Sequence, residues 1–179
     1  TLANYSYLRG IDLLIDVALN LRVMGHTEIL FVVAGDLTLS RSLPGKLGDV
    51  AQQGGDLSDY ACEMGVEKMF LFLGHVKEPE RVLSGCQVLI RPSREYNPWG
   101  RDVLEAFSLG RPVIAAGTYN KFVENEITGV LLDEFDPHQV AEKIIALSKD
   151  RDLVESIGRQ GKKRVELLCN GTDRARDLL

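Results

Sequence analysis

Cysteine is scarce in this sequence, with three among 179 residues. Cys62, Cys86 and Cys169 share no metal-ligand spacing and stand among apolar neighbours, where a free thiol acts as a small hydrophobe. Long apolar runs are missing as well. None approaches the roughly 18 residues of a membrane-spanning helix, and no signal peptide is visible. Two sequons, Asn4-Tyr5-Ser6 and Asn170-Gly171-Thr172, would matter only in a secreted protein, and nothing else suggests secretion. Positive charge is in deficit: 21 Lys and Arg face 26 Asp and Glu, for a net charge of -5 and a pI of about 5.3. That balance excludes a domain wholly given over to nucleic acid or an anionic membrane, while leaving room for a local basic spot. Internal repeats, low-complexity stretches and interdomain linkers are absent too. No Gly-x-Gly-x-x-Gly follows the first strand, which speaks against a dinucleotide-dependent dehydrogenase. Neither Asp-x-Asp nor a His/carboxylate cluster is present, so no metal and no other cofactor is expected.

What the chain does have is 45% hydrophobic and 26% charged residues, enough for one substantial core and a single domain over 1–179. Apolar residues recur at helical spacing from Ile11 to Leu21, and Gly25 stands where a helix stops. Ile29–Ala34 is a continuous apolar run ending at Gly35, the pattern of a strand covered on both faces. Similar runs are Met69–Leu73 before Gly74, Val88–Ile90 before Arg91-Pro92-Ser93, Pro112–Ala116 before Gly117, and a short Val130–Leu132. The chain also enters a strand almost at Thr1, so the natural protein is expected to extend upstream. Between the runs lie helical patterns at Leu47–Met64, weakened at Gly54-Gly55, and at Pro79–Ser84, Arg101–Leu109 and Gln139–Leu147. A closing helix spans Asp152–Leu168, and a polar tail follows from Asn170 to Asp177. Strands alternating with helices predict right-handed crossovers. The expected fold is therefore α/β, a Rossmann-like, doubly wound parallel sheet of about six strands with ligands at the strands' carboxyl ends.

The stretch from Arg91 to Phe107 runs from such a strand end, through a loop holding Pro98 and Gly100, into a helix beginning near Arg101. Backbone N–H groups at a helix start, aided by the helix dipole, suit an anion such as a pyrophosphate, and Gly100 lets that backbone approach. Glu105, one turn in, can accept hydrogen bonds from two vicinal hydroxyls such as those of a ribose; it can equally be an acidic residue complementing the dipole.

These residues resemble the signature of retaining glycosyltransferases of the large sequence family 4, the group 1 glycosyl transferases, which have the two-domain GT-B fold. The Pro-Ser strand end, the glycine loop and the Glu-Ala helix are followed by Gly110-Arg111-Pro112-Val113-Ile114. Arg9-Gly10-Ile11-Asp12 is similar to the family's Lys-Gly-x-Asp. Phe72-Leu73-Gly74-His75-Val76 is similar to its Phe-Leu-Gly-x-Val, and Thr128-Gly129-Val130-Leu131 to its Thr-Gly-x-Leu.

The resemblance implies that this chain is the C-terminal, donor-binding half of the fold, with the N-terminal acceptor domain outside it. By itself it is expected to bind donor and catalyse nothing. In full length it would move a sugar from a UDP- or GDP-sugar to a glycan or glycolipid, as a hexosyltransferase, with retention and in surface-polysaccharide assembly. Cytoplasmic location follows from the same resemblance, with peripheral contact at the membrane's cytoplasmic face through the missing domain.

Residue by residue, Glu105 takes the ribose position. The family's first glutamate, against the donor sugar, falls on Asn97, which keeps hydrogen bonding but carries no charge. Either Asn97 is a subfamily variant or catalysis is altered; Glu95, two residues early, is a stand-in if the loop bends to present it. Arg9 takes the position of the family's phosphate-gripping lysine, gaining a bidentate fork. The companion arginine falls on Asn4, so one cation is missing, and Arg101 or Arg94 is a substitute. His75 and Val76 fall where the backbone lines the base pocket. Pro98 and Trp99 complete the binding loop, Trp99 more as a buttress than as a stacking surface. Lys121 and Glu124 align with a turn that faces the donor. Two other classes remain as alternatives: a non-catalytic nucleotide-sugar-binding module, and a GT-B-like sugar-nucleotide epimerase, which lacks the Glu-Ala helix pattern.

Overall fold

The computed structural model describes residues 1–171. Seven helices and five strands alternate along them. Helix α1 (Leu13–Val23) turns Leu14, Ile15, Val17, Ala18 and Leu21 inward and ends before Gly25. It leads to β1 (Phe31–Ala34). The single helix expected over Leu47–Met64 is two, α2 (Gly45–Gln52) and α3 (Leu57–Glu63). The break falls at Gly54-Gly55, because Asp56 starts a new helix there: its carboxylate caps Ser58 and Asp59, and Asp59 returns the bond to the Asp56 amide. A 3-10 turn at Glu67–Met69 precedes β2 (Phe70–Gly74), then come α4 (Pro79–Ser84) and β3 (Leu89–Arg91). The remainder is α5 (Arg101–Ser108), β4 (Val113–Ala116), β5 (Gly129–Leu132), α6 (Pro137–Lys149) and α7 (Arg151–Leu168). The tail expected beyond Asn170 lies outside the described residues from 172 on.

All strand pairs are parallel: β1 with β2, and β3 with β4 with β5. Alternation along β4 shows why such strands read as continuous apolar runs. Ile114 and Ala116 enter one hydrophobic cluster, built with α1, α6 and β1, while Val113 and Ala115 enter another with Leu89 of β3 and Phe107 of α5. Helices therefore cover both faces, and each fully buried Ile or Val contributes on the order of 2 kcal/mol.

Six strands were expected and five form. The segment Thr1–Ala3 runs parallel to β1, with Ala3 N donating to Ala34 O at 3.0 Å and Ala34 N to Thr1 O at 3.1 Å. Only Leu2 forms a bridge, to Ala34, before the chain turns away at Asn4. Leu2 also packs against the cluster of Leu89 and Val113, so the segment sits between the two sets of strands. From that middle position the chain builds outward through β1 and β2 on one side, then β3, β4 and β5 on the other. A crevice opens where the two directions part.

Candidate functional site

A cavity of about 540 Å³ fills this crevice. Asn4 and Arg9 enter from the turn after Thr1–Ala3, Gly35 from the end of β1, and His75 and Val76 from the end of β2. Arg91 closes β3, and Gly100, Arg101 and Glu105 come from the start of α5. Seven of the ten residues expected from sequence share this one wall.

Gly35 lies at φ 143°, and a Cβ there would sit 2.1 Å from Ala3 O, so only glycine lets β1 and the Asn4 turn meet. Asn4 then spends its Oδ1 on the Asp36 amide at 2.9 Å. The Thr38 hydroxyl and amide bond to Asp36 and hold its carboxyl below the usual range. Asn4 thus braces the β1 loop at the position where a cation was expected. No side chain caps α5, and the amides of Arg101 and Asp102 have no protein acceptor among the described residues. Val103 and Leu104 donate to Gly100 O, so the two free amides and the helix dipole make this end an anion-attracting surface on the cavity.

Arg101 Nε lies 3.1 Å from Glu105 Oε1, with the Arg101 side chain 86% exposed. An exposed pair one turn apart is worth about 0.3–0.5 kcal/mol, so a ligand can separate it readily. Arg9 forms no ion pair among the described residues. Arg94, the other substitute considered for the missing cation, is committed elsewhere. It forms a two-pronged pair with buried Asp12 and donates to Tyr7 O at 2.6 Å, which raises its pKa through the Asp12 hydrogen bond. Of the two candidate substitutes, only Arg101 reaches the cavity. Glu124 is likewise occupied, by Arg164 of α7, which also donates to Lys121 O.

Asn97 lies on a second, smaller cavity of about 180 Å³ beside the first, and Arg9 lines both. Pro98 and Trp99 lie on neither wall. Pro98 is buried against Gly117, and Trp99 stacks on Phe122 at 5.7 Å and tilts against Tyr119 at 6.4 Å. Their placement is that of a buttress under the loop.

Sequence reading missed the residue that shapes this loop, Arg91. Its Nη1 reaches both Asp102 carboxylate oxygens at 2.6 Å, and its Nε donates to Asn97 O at 3.0 Å, so one side chain fixes loop and helix start together. Gly100 is glycine for this pair's sake: a Cβ there would meet Asp102 Oδ1 at 2.8 Å and Arg91 Nη2 at 3.0 Å. The available signal was an arginine at a strand end with an acidic residue in the next helix's first turn. Among the described residues, no group of three or more His, Cys, Asp or Glu side chains could hold a metal ion, and no helix is long and apolar enough to cross a membrane.

Fold and crevice together define an α/β domain with a cavity at the topological switch point, where Arg9 and the uncapped start of α5 make an anion-attracting surface. The chain belongs to the glycosyl transferases group 1 family, whose profile matches residues 1–164. It is 33% identical over 99 residues to the capsular polysaccharide biosynthesis glycosyltransferase CapM of Staphylococcus aureus, covering 54% of this chain and 26% of CapM. HepE of Anabaena, solved in complex with UDP, superposes with a TM-score of 0.77 at 20% identity, over 99% of this chain and 48% of HepE. The C-terminal domain of the group 1 family protein LpcC from Francisella tularensis superposes with a TM-score of 0.71 at 19% identity, over 93% of this chain and 82% of that domain. The chain thus spans about a quarter of CapM and about half of HepE.

Proposed function

We propose that this chain is the donor-binding, C-terminal half of a GT-B glycosyltransferase that takes a sugar from a nucleoside diphosphate-sugar, with retention of configuration. The observation that carries the reading is the single cavity that gathers Arg9, the open start of α5 and Glu105. Arg9, Arg101 and the α5 amides would receive the diphosphate and stabilise its charge as the sugar bond breaks. Glu105 would turn from Arg101 to the ribose hydroxyls, and the His75-Val76 backbone would border the base. UDP is the first donor nucleotide to try, since HepE was solved with it, and GDP the second. The acceptor would bind an amino-terminal domain outside this chain, so the chain alone would bind without transferring. A metal-independent reaction at the cytoplasmic face of a membrane, in polysaccharide or glycolipid assembly, completes the proposal.

Calorimetric titration of the chain with UDP, GDP and ADP tests it. Saturable binding to one nucleotide, weakened about tenfold by Arg9→Ala or Glu105→Ala (~1.4 kcal/mol), is the expected result. Binding to none of the three rejects it.

One observation favours a second reading, a module that binds nucleotide-sugar without transfer: Asn4 and Asn97 are both uncharged, and Asn4 is tied to the Asp36 amide. Absence of both transfer and donor hydrolysis by the full-length protein with its cognate donor would establish that module.

A further inference from the structure

Trp99, the chain's one tryptophan, lines neither cavity and is nonetheless 45% exposed. Its indole stacks on Phe122 with the planes 18° apart. Tyr119, 44% exposed, stands against both rings, 6.4 Å from Trp99 and 6.3 Å from Phe122, tilted by 48° and 49°. Phe122 covers one face of the indole, so its exposure belongs to the opposite face and the edges. A tryptophan has more apolar surface to bury than other side chains, and here nearly half of it is left in water.

The rings are held from behind. Trp99 belongs to the loop after β3, and Tyr119 and Phe122 to the loop after β4, its parallel neighbour, so both loops lie at the carboxyl ends of the strands. Gly117 seats one loop against the other: a Cβ there would meet Tyr96 O at 2.0 Å and Pro98 Cδ at 2.8 Å. Thr128 Oγ1 donates to Phe122 O at 2.8 Å and accepts from the Glu124 amide at 2.8 Å, while Arg164 pairs with Glu124 and donates to Lys121 O. A pair of exposed rings is thus fixed on a braced support. Thr118 and Asn120, exposed on either side of Tyr119, bring a hydroxyl and an amide to its edge.

We propose that Trp99 and Tyr119 form a platform for a pyranose ring of a glycan chain, outside both cavities. The face of a pyranose carries C–H groups with slight positive charge, which the electron-rich face of an aromatic ring attracts while apolar area is covered. Its hydroxyls project from the rim and need polar neighbours, which Thr118 and Asn120 supply. Two tilted rings with polar groups at their edge match a ligand that is apolar on its faces and polar around its rim. A protein helix would instead present a continuous apolar stripe. Membership of a glycosyl transferase family supplies the ligand class, since such a protein meets sugar chains. The proposal rests on that membership and not on nucleotide binding.

Because Trp99 is the only tryptophan, its emission reads the platform directly. The chain is titrated, without nucleotide, with maltohexaose, cellohexaose, mannohexaose and chitohexaose. At least one should shift the emission to the blue, saturably, and cut acrylamide quenching about twofold. By calorimetry, Tyr119→Ala should weaken that oligosaccharide about tenfold and Trp99→Ala at least as much, with Trp99→Phe recovering most of the loss. Melting temperatures confirm that the variants fold, and Tyr119→Ala should bind UDP within about twofold of the parent. No emission change with any of the oligosaccharides overturns the proposal, as does binding that neither alanine variant weakens. Displacement of the oligosaccharide by UDP-glucose would move the ring into the donor site, and emission that tracks a dimer in sedimentation would give the platform to a second copy; either overturns it too. A chain that binds no nucleotide but binds a hexasaccharide through Trp99 would reject the donor reading and leave this one standing.

Discussion

The two cavities are neighbours that share Arg9, Arg91 and Asp102 and differ in how the rest of the rim is held. On the larger side Arg101 reaches Glu105 across one helical turn, and Arg9, on the boundary, is exposed and unpaired among the described residues. In the smaller, the rim is pinned from both sides. Arg91 fastens the loop to α5, and Arg94 fastens it to the Asn4–Asp12 turn through Asp12, with the Arg94 amide donating to Leu8 O at 2.9 Å. A charged rim acts over a distance and tolerates movement, whereas a rim of directional hydrogen-bonding groups works only from fixed positions.

Breaking the pinned side should cost the most. Asp12→Ala leaves the Arg94 guanidinium, 23% exposed, without its partner, and a loss of about 3 kcal/mol in urea unfolding is expected. Gly117→Ala forces a Cβ into the Tyr96 carbonyl from a backbone at φ 136°, for a loss of about 2 kcal/mol in urea unfolding. The loose side should respond in the other way. Arg9→Ala should weaken nucleotide about tenfold while changing unfolding by less than about 0.5 kcal/mol, which separates grip from stability. Arg101→Ala should show the same pattern at about threefold, because removal of the arginine also releases Glu105 for the ligand.

The smallest effect concerns Asp16, whose pKa is raised by burial and then by nearby Asp12. A carboxyl raised on folding favours the folded state while protonated, and that contribution is lost as pH climbs through the raised value. Asp16→Asn should therefore gain up to about 0.5 kcal/mol at neutral pH and nothing well below the carboxylate range, read from urea midpoints at both pH values.

Much of this molecule is written plainly in its residues, and the reason differs by element. The β4 strand is legible because both of its faces are buried, so Val113–Ala116 is apolar without interruption. Gly100 and Glu105 are placed by the strand-end loop and the helix start that follows, Arg9 only by the family resemblance, and all three line the larger cavity. The Leu47–Met64 pattern misleads because helical periodicity continues across Gly54-Gly55, whereas the Asp56 cap is decided by local hydrogen bonds. The sixth strand is over-read for the opposite reason: Thr1–Ala3 has strand composition but makes only the Leu2 bridge. Arg94 shows the limit at the site itself. It stands in the expected loop, and only its pairing with Asp12 reveals that it holds the loop instead of facing the larger cavity.

That short Thr1–Ala3 segment makes the middle of the sheet a seam. On one side stand β1 and β2, on the other β3, β4 and β5; the segment bridges to β1 through Leu2, and a shared hydrophobic cluster beneath holds β1 against β4 and β5. The larger cavity straddles the seam, with Gly35 and His75 on one bank and Arg91 and Glu105 on the other. Whatever fills it acts as mortar between two courses of masonry, adding its binding free energy to the cohesion of the whole domain.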